Sequence, residues 1–199
     1  MAYFLQIDVP CLVISLWNFV VAKTNNDCET TTQAEIDALI TCKKKITTKR
    51  FVFPVLERSW QGTLAAESEI DGEIVRFKVF FRQSVKLEEK FSIGLKLIRD
   101  DTEEDINLAR YNGIHQHVNK HSDGEIFDTF HKHFATESAI LKGIKAEHNA
   151  KLANYVNFKG AILRFFRELN FENYQPFLKH FEIVEEEKNT DQLSIFDDE

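Results

Sequence analysis

The sequence has few glycines and prolines, which interrupt helices and strands, and few cysteines, which can cross-link a chain. It contains 7 glycines, 3 prolines and 3 cysteines in 199 residues. So little glycine and proline excludes collagen-like and low-complexity proteins. Cys11, Cys28 and Cys42 are odd in number and form no C-x-x-C pair, so neither a disulfide framework nor a zinc knuckle is indicated. We therefore expect a protein of the reducing cytoplasm.

Long uninterrupted apolar runs are also missing. The first 22 residues are rich in apolar side chains, but they lack a basic start and are interrupted by Asp8 and Pro10. The remaining unbroken stretch is too short to cross a bilayer. A buried strand, a short core helix or an extension outside the native product are the alternatives for this segment. We expect no association with a membrane.

The chain has no excess of positive charge. Its formal net charge is -7, but residues 182–199 alone contain eight acids and one base. Residues 1–181 therefore balance, with 24 basic and 24 acidic side chains. A neutral body does not attract a phosphate backbone over its whole surface, although it can still hold a local anion site.

A period of two, typical of strands, dominates the middle of the sequence. Asp71-Gly72 separates two strand-like runs and predicts a tight hairpin. In the second run, alternate positions are apolar and the positions between them are mostly charged. Two further runs, at residues 91–97 and 106–111, continue the pattern. Together they predict an antiparallel meander.

Helical patterns flank the meander. The capping box Thr32-x-x-Glu35 predicts a helix over residues 32–46. Apolar residues at helical spacing, as far as Leu152, predict another helix. Asn157 is expected to cap a stronger one. The predicted fold class is α+β: an antiparallel β-meander with an N-terminal helix and C-terminal helices packed on it, plus a flexible acidic tail.

The composition shifts divide the chain into three parts. Residues 1–31 are an apolar N-terminal segment and a polar linker, and residues 32–181 are predicted to form a single α+β domain. Residues 182–199 are predicted to form an acidic, flexible tail.

Five of the seven histidines lie within a 19-residue window. They are His115, His117, His121, His131 and His133. Four of them form two H-x-H pairs, and residues i and i+2 of a strand face the same way. A hairpin at Asp123-Gly124 would place the two pairs side by side.

Three interpretations of this cluster remain open. All five histidines could bind a divalent transition metal such as zinc. Alternatively, His115, His117, His131 and His133 could exchange protons with a phosphodiester, with Tyr111 as a further proton donor. The bases that could stabilise the phosphate are Arg99, Arg110, Lys120 and Lys132. The third interpretation is a solvated hairpin without chemistry.

A strand end Arg-Tyr-Asn, closely spaced histidines and a Phe-His-x-His run lie between Ile98 and Phe134. This segment resembles the TumE-like toxin family of bacterial toxin–antitoxin systems. The matching residues are Arg110, Tyr111, Asn112, His115, His117, Phe130, His131 and His133. Asn112 stands where that family has Asp, and the terminal extensions have no counterpart. The resemblance implies a toxin-like protein that cleaves RNA or another phosphodiester and pairs with an antitoxin protein.

The tail carries a second short motif, Gln192-Leu193-Ser194-Ile195-Phe196. It resembles the pentapeptide by which bacterial proteins dock on the DNA polymerase sliding clamp. An extended segment would present Leu193, Ile195 and Phe196 as apolar anchors, with Gln192 fixing the register. This resemblance implies an alternative function, in which a non-enzymatic phage or mobile-element protein acts by binding the clamp. A tail packed on its own domain is the other interpretation.

Overall fold

A computed structural model describes residues 32–99, 105–119 and 124–183. The α-helices are α1 (Gln33–Thr41), α2 (Glu137–Leu141), α3 (Phe158–Glu168) and α4 (Gln175–Leu178). The strands are β1 (Lys44–Ile46), β2 (Val55–Leu56), β3 (Ser59–Ile70), β4 (Glu73–Ser84), β5 (Phe91–Leu97), β6 (Ile106–Asn112), β7 (His117–Val118), β8 (Ile126–Phe127), β9 (His131–Phe134), β10 (Ala150–Leu152) and β11 (Phe171–Glu172). The predictions for residues 1–31 and for residues 184–199 lie outside these ranges.

One sheet organises most of the described chain. Its strand order is β10-β9-β6-β5-β4-β3-β1-β11, with β2 paired to β3, and β7 and β8 form a separate two-stranded sheet. Every pairing is antiparallel except that of β1 with β11. The predicted meander is therefore confirmed as β3 to β6.

The hairpin between β3 and β4 forms where the sequence predicts it. Asp71 and Gly72 have φ values of 53° and 83°, the left-handed conformation that a tight two-residue turn requires. The alternating residues of β4 and β5 point into the core, as predicted. These buried residues are Val75, Phe77, Val79, Phe81, Phe91, Ile93, Leu95 and Leu97.

The N-terminal helix α1 begins as predicted and ends early. Thr32 and Glu35 form the capping box. The helix ends at Thr41, so its predicted extent to residue 46 is wrong. The chain becomes extended at Cys42 because Lys44 pairs in β1 with Phe171.

The Lys44 side chain allows the connection between α1 and β1 to be buried. It is 0 % exposed, and Nζ donates to the carbonyls of Ile40, Cys42 and Leu169 at 2.8, 2.9 and 3.2 Å. One ammonium thus satisfies orphan carbonyls at the C-terminal ends of α1 and α3. Burial lowers the pKa of Lys44.

The two predicted C-terminal helices have different outcomes. Asn157 caps α3 by accepting from Gly160 N at 2.7 Å, which confirms the stronger helix. The prediction of a helix that reaches Leu152 is wrong. Helix α2 ends by Gly143, whose φ of 64° is left-handed, and Leu152 belongs to β10.

The protein is therefore α+β, as predicted, with α1 and α3 contacting the meander. Within the described ranges, no helix is long and apolar enough to cross a membrane.

Candidate functional site

A row of polar side chains crosses the meander on the face opposite the core. The pairing register puts Arg82 opposite Ser92, Ser92 opposite Asn112, and Asn112 opposite His131. Side chains at paired positions lie on the same face of a sheet. The four residues therefore form a line from β4 to β9.

A second row runs beside the first. Gly94 is opposite Arg110, and Arg110 is opposite His133. The ring of Phe80, paired with Gly94, occupies the space that a side chain at this position would need. The sheet face thus presents Arg110 and His133 next to Asn112 and His131.

The first H-x-H pair reaches this face from the segment that follows β6. Gly113 approaches Glu89 so closely that an added Cβ would lie 1.8 Å from the Glu89 carbonyl oxygen. At the other end of the segment, the Asn119 side chain donates to Ala150 O at 3.2 Å and accepts from Ala150 N at 2.8 Å. These two fixed points hold the segment that carries His115 and His117.

The two H-x-H pairs meet, although not across one hairpin. The predicted hairpin is present as β7 and β8, where His117 is opposite Phe127, whereas His131 and His133 lie on β9 and pair with β6. The ring centroids of His115 and His131 are 4.6 Å apart, and those of His117 and His133 are 4.7 Å apart. His131 and His133 are 5.0 Å apart.

His131 is buried with a fixed tautomer. It is 0 % exposed, and its Nδ1 lies 2.7 Å from the Thr129 carbonyl, so Nδ1 must carry the hydrogen. Its Nε2 lies 3.4 Å from Asn112 Nδ2 and can accept. Burial lowers the pKa of His131 to about 4, opposed by the bond to Thr129. The ring is therefore neutral at neutral pH.

His133 is also buried and neutral. It is 1 % exposed, and neither ring nitrogen has a hydrogen bond of good geometry within the described residues. Burial lowers the pKa of His133 to about 3, helped by the nearby charges of His131 and Arg110. The main chain of His148 acts in the opposite direction, but it does not outweigh the burial.

The outer histidines are better placed to meet a ligand. His115 is exposed, and its Nδ1 lies 3.2 Å from the Gly113 carbonyl, which leaves Nε2 with its lone pair. Burial of part of the ring lowers the pKa of His115. His117 is partly exposed, but its Nε2 is buried and has no hydrogen-bond partner in the described part of the chain.

A cleft of about 1210 Å³ opens over these side chains. Its walls include His115, His117 and His133, whereas His131 lies behind them. Five basic residues line it: Arg58, Arg82, Lys90, Arg110 and Lys145. The acidic residues in the lining are Glu57 and Glu147. The cleft can therefore attract an anion.

Glu147 and His148 belong to the site but were missed from the sequence. Glu147 is 1 % exposed, and its Oε1 forms an ion pair with Arg110 Nη2 at 3.0 Å. The rings of His148 and His117 are 5.8 Å apart. Both residues follow α2, in a stretch that was predicted to be helical, so no pattern placed them beside β9.

Several predicted residues do not reach the cleft. Tyr111 and Lys132 point to the core side of the sheet, where both contact Glu168, at 2.6 and 2.9 Å. Burial and the Glu168 contact raise the pKa of Tyr111. Arg99 does not line the cleft. Lys120 and His121 lie outside the described residues, as do Gln192, Leu193, Ser194, Ile195 and Phe196.

The metal interpretation gains no support from the geometry. In residues 32–99, 105–119 and 124–183, no three His, Cys, Asp or Glu side chains are arranged to hold one metal ion. The rings are close together, but their nitrogen atoms do not form a ligand set.

Comparison with known proteins adds no assignment to this geometry. No family model, no curated protein and no solved structure matches the chain. The cleft and its residues are therefore the basis for assigning a function.

Proposed function

We propose that this is a toxin-like protein whose cleft binds an RNA strand and cleaves a phosphodiester by histidine acid–base chemistry. One observation carries the proposal. His115, His117 and His133 line a cleft that also presents Arg58, Arg82, Lys90, Arg110 and Lys145. Proton-transfer groups and phosphate-binding groups thus occur together.

The charge of the cleft favours a phosphate ligand. Residues 1–181 are neutral as a whole, so five bases beside two carboxylates are a local excess. Arg110 is adjacent to the inner histidines, since it is directly opposite His133 in the sheet. Its guanidinium can donate to the non-bridging oxygens and stabilise the charge that develops on them.

His115 has the properties of a general base. Its Nδ1 hydrogen is held by the Gly113 carbonyl, and its lowered pKa keeps Nε2 free to accept a proton. In the proposed reaction, the 2′-hydroxyl gives its proton to His115 Nε2 and its oxygen attacks phosphorus. As the bond from the 2′ oxygen to phosphorus forms, the bond from phosphorus to the 5′ oxygen breaks. His117 gives a proton to that leaving oxygen. The products are a 2′,3′-cyclic phosphate and a 5′-hydroxyl.

The test is cleavage of an RNA oligonucleotide by the full chain. His115→Ala and His117→Ala should each lower the rate by about 100-fold or more, because each removes one proton-transfer step. His180→Ala is the matched control, because His180 is exposed and contacts Phe51 outside the cleft. Thermal unfolding of each variant shows whether the fold is retained.

Three results would contradict the proposal. One is the absence of cleavage by the wild-type protein, and another is full activity of both cleft variants. The third is cleavage that EDTA abolishes and zinc restores, which would replace acid–base chemistry with a metal-dependent reaction. In cells, expression of the wild type should arrest bacterial growth, and the two cleft variants should relieve the arrest.

A further inference from the structure

The cleft has a second basic region away from the histidines. Arg82 is two strands from Asn112 and three strands from His131 in the pairing register. The chain at Arg58 joins the same region, because its carbonyl accepts from Val85 N at 3.1 Å, just after the end of β4. Arg58 and Arg82 are therefore neighbours at this end of the cleft.

These two arginines differ from Arg110 in their partners. Arg110 is paired with the buried Glu147. Among the described residues, no carboxylate forms an ion pair with Arg58 or Arg82. Glu57 is in the same lining, but the two guanidinium groups outnumber it, and this excess of positive charge favours an anionic ligand.

Arg82 is also held in position. Its Nε donates to Ser59 Oγ at 3.3 Å, and Gln61 Nε2 donates to the same oxygen at 2.9 Å. Ser59 is buried, so this anchor is fixed. The terminal nitrogens of Arg82 remain as donors, in the fork geometry that matches a phosphate.

The separation of the two regions suits one nucleic acid strand. Neighbouring strands of a sheet are about 4.8 Å apart, so the main chain of Arg82 is about 10 Å from that of Asn112. A nucleic acid strand covers a distance of this size in one or two nucleotide steps. Lys90 also lines the cleft, and its carbonyl accepts from Ser84 N at 2.9 Å at the end of β4.

We infer that Arg58 and Arg82 bind a second phosphate of the same RNA strand, adjacent to the phosphodiester at the histidines. The inference rests on the proposed function and narrows its substrate class to RNA strands with at least two phosphates. A dinucleoside monophosphate would fill only the histidine region.

Binding tests this directly, without cleavage. The ligands are 2′-O-methyl oligonucleotides, which lack the attacking hydroxyl: a dinucleotide with one phosphate and a trinucleotide with two. The wild type should bind the trinucleotide about tenfold more tightly, and Arg82→Gln should reduce that ratio to about one. Lys78→Gln is the matched control, since Lys78 is exposed on the same face of β4 and does not line the cleft.

The possible outcomes separate this inference from the proposed function. A ratio that stays near ten in Arg82→Gln, or that is near one in the wild type, overturns the second phosphate site. The corresponding unmodified oligonucleotides then report cleavage. If the ratio behaves as expected but neither RNA is cleaved, the phosphate site stands and the proposed catalysis is wrong. If RNA is cleaved with no preference for the second phosphate, the catalysis stands and the inference is wrong.

Discussion

The buried histidines predict a specific loss of stability in mild acid. The pKa values of His131 and His133 are about 4 and 3 in the folded protein, against 6.5 for an unperturbed histidine. Between these values the unfolded chain binds protons that the folded protein does not. Stability must therefore fall as the pH drops below about 6.5.

The magnitude follows from the same values. Between pH 7 and pH 5, each of the two histidines should cost about 2 kcal/mol of unfolding free energy, or about 4 kcal/mol together. Near pH 5.5 the slope should be about 2 to 3 kcal/mol per pH unit. The carboxyl of Glu168, whose pKa is lowered by hydrogen bonds from Lys132 and Tyr111 against the effect of burial, contributes mainly at lower pH.

Urea unfolding at pH 7, 6 and 5 measures this dependence. His133→Gln should lower the slope by about 1 kcal/mol per pH unit, because one buried imidazole no longer gains a proton on unfolding. His180→Gln, which changes an exposed histidine, should keep the full slope. A stability that is constant between pH 7 and pH 5, or that rises as the pH falls, would refute the burial argument.

Two further sets of substitutions test the segment that carries His115 and His117 and, separately, the C-terminal tail. Gly113→Ala would place a methyl 1.8 Å from the Glu89 carbonyl oxygen, so we expect a loss of about 2 kcal/mol in urea unfolding together with slower RNA cleavage. Gly160→Ala, whose methyl would meet only side-chain atoms at 3.2 and 3.7 Å, should change stability by less than about 1 kcal/mol, and equal losses in both variants would contradict this reasoning. Replacing Leu193 and Phe196 by Ala should abolish retention on immobilised sliding clamp, and failure of the wild type to bind at micromolar clamp would end that hypothesis.

Most of the meander could be predicted because its signals are local. Asp71-Gly72 is a short-range turn signal, and apolar residues at alternate positions of β4 and β5 report which side of each strand is buried. The pairing of β1 with β11 could not be predicted in the same way. It joins Lys44 to Phe171, and a parallel pair of such short strands leaves no periodic pattern.

The site was predicted only in part, for a similar reason. Two H-x-H pairs in a short window are visible in the sequence, and Arg110 lies close to them. Arg82 reaches the cleft through the pairing of β4 with β5, and Glu147 reaches it from the loop before β10, so both come from positions distant from the histidine window. A signal for Arg82 was nevertheless present, since it occupies the polar side of β4, but the sequence does not give the pairing register that aligns it with Ser92 and Asn112.

The ammonium of Lys44 has a consequence for how the chain is made. Its partners are close in sequence at one end, Ile40 and Cys42, but the third, Leu169, is 125 residues further along. During synthesis on the ribosome, nearly the whole described chain must therefore be made before the Lys44 ammonium can form all three hydrogen bonds. Contacts between such distant residues form slowly. A nascent chain that stops short of residue 169 leaves this lysine without its third carbonyl and Thr41, the last residue of α1, without the hydrogen bond from Asn170, so a truncation from the C-terminus destabilises the N-terminal helix.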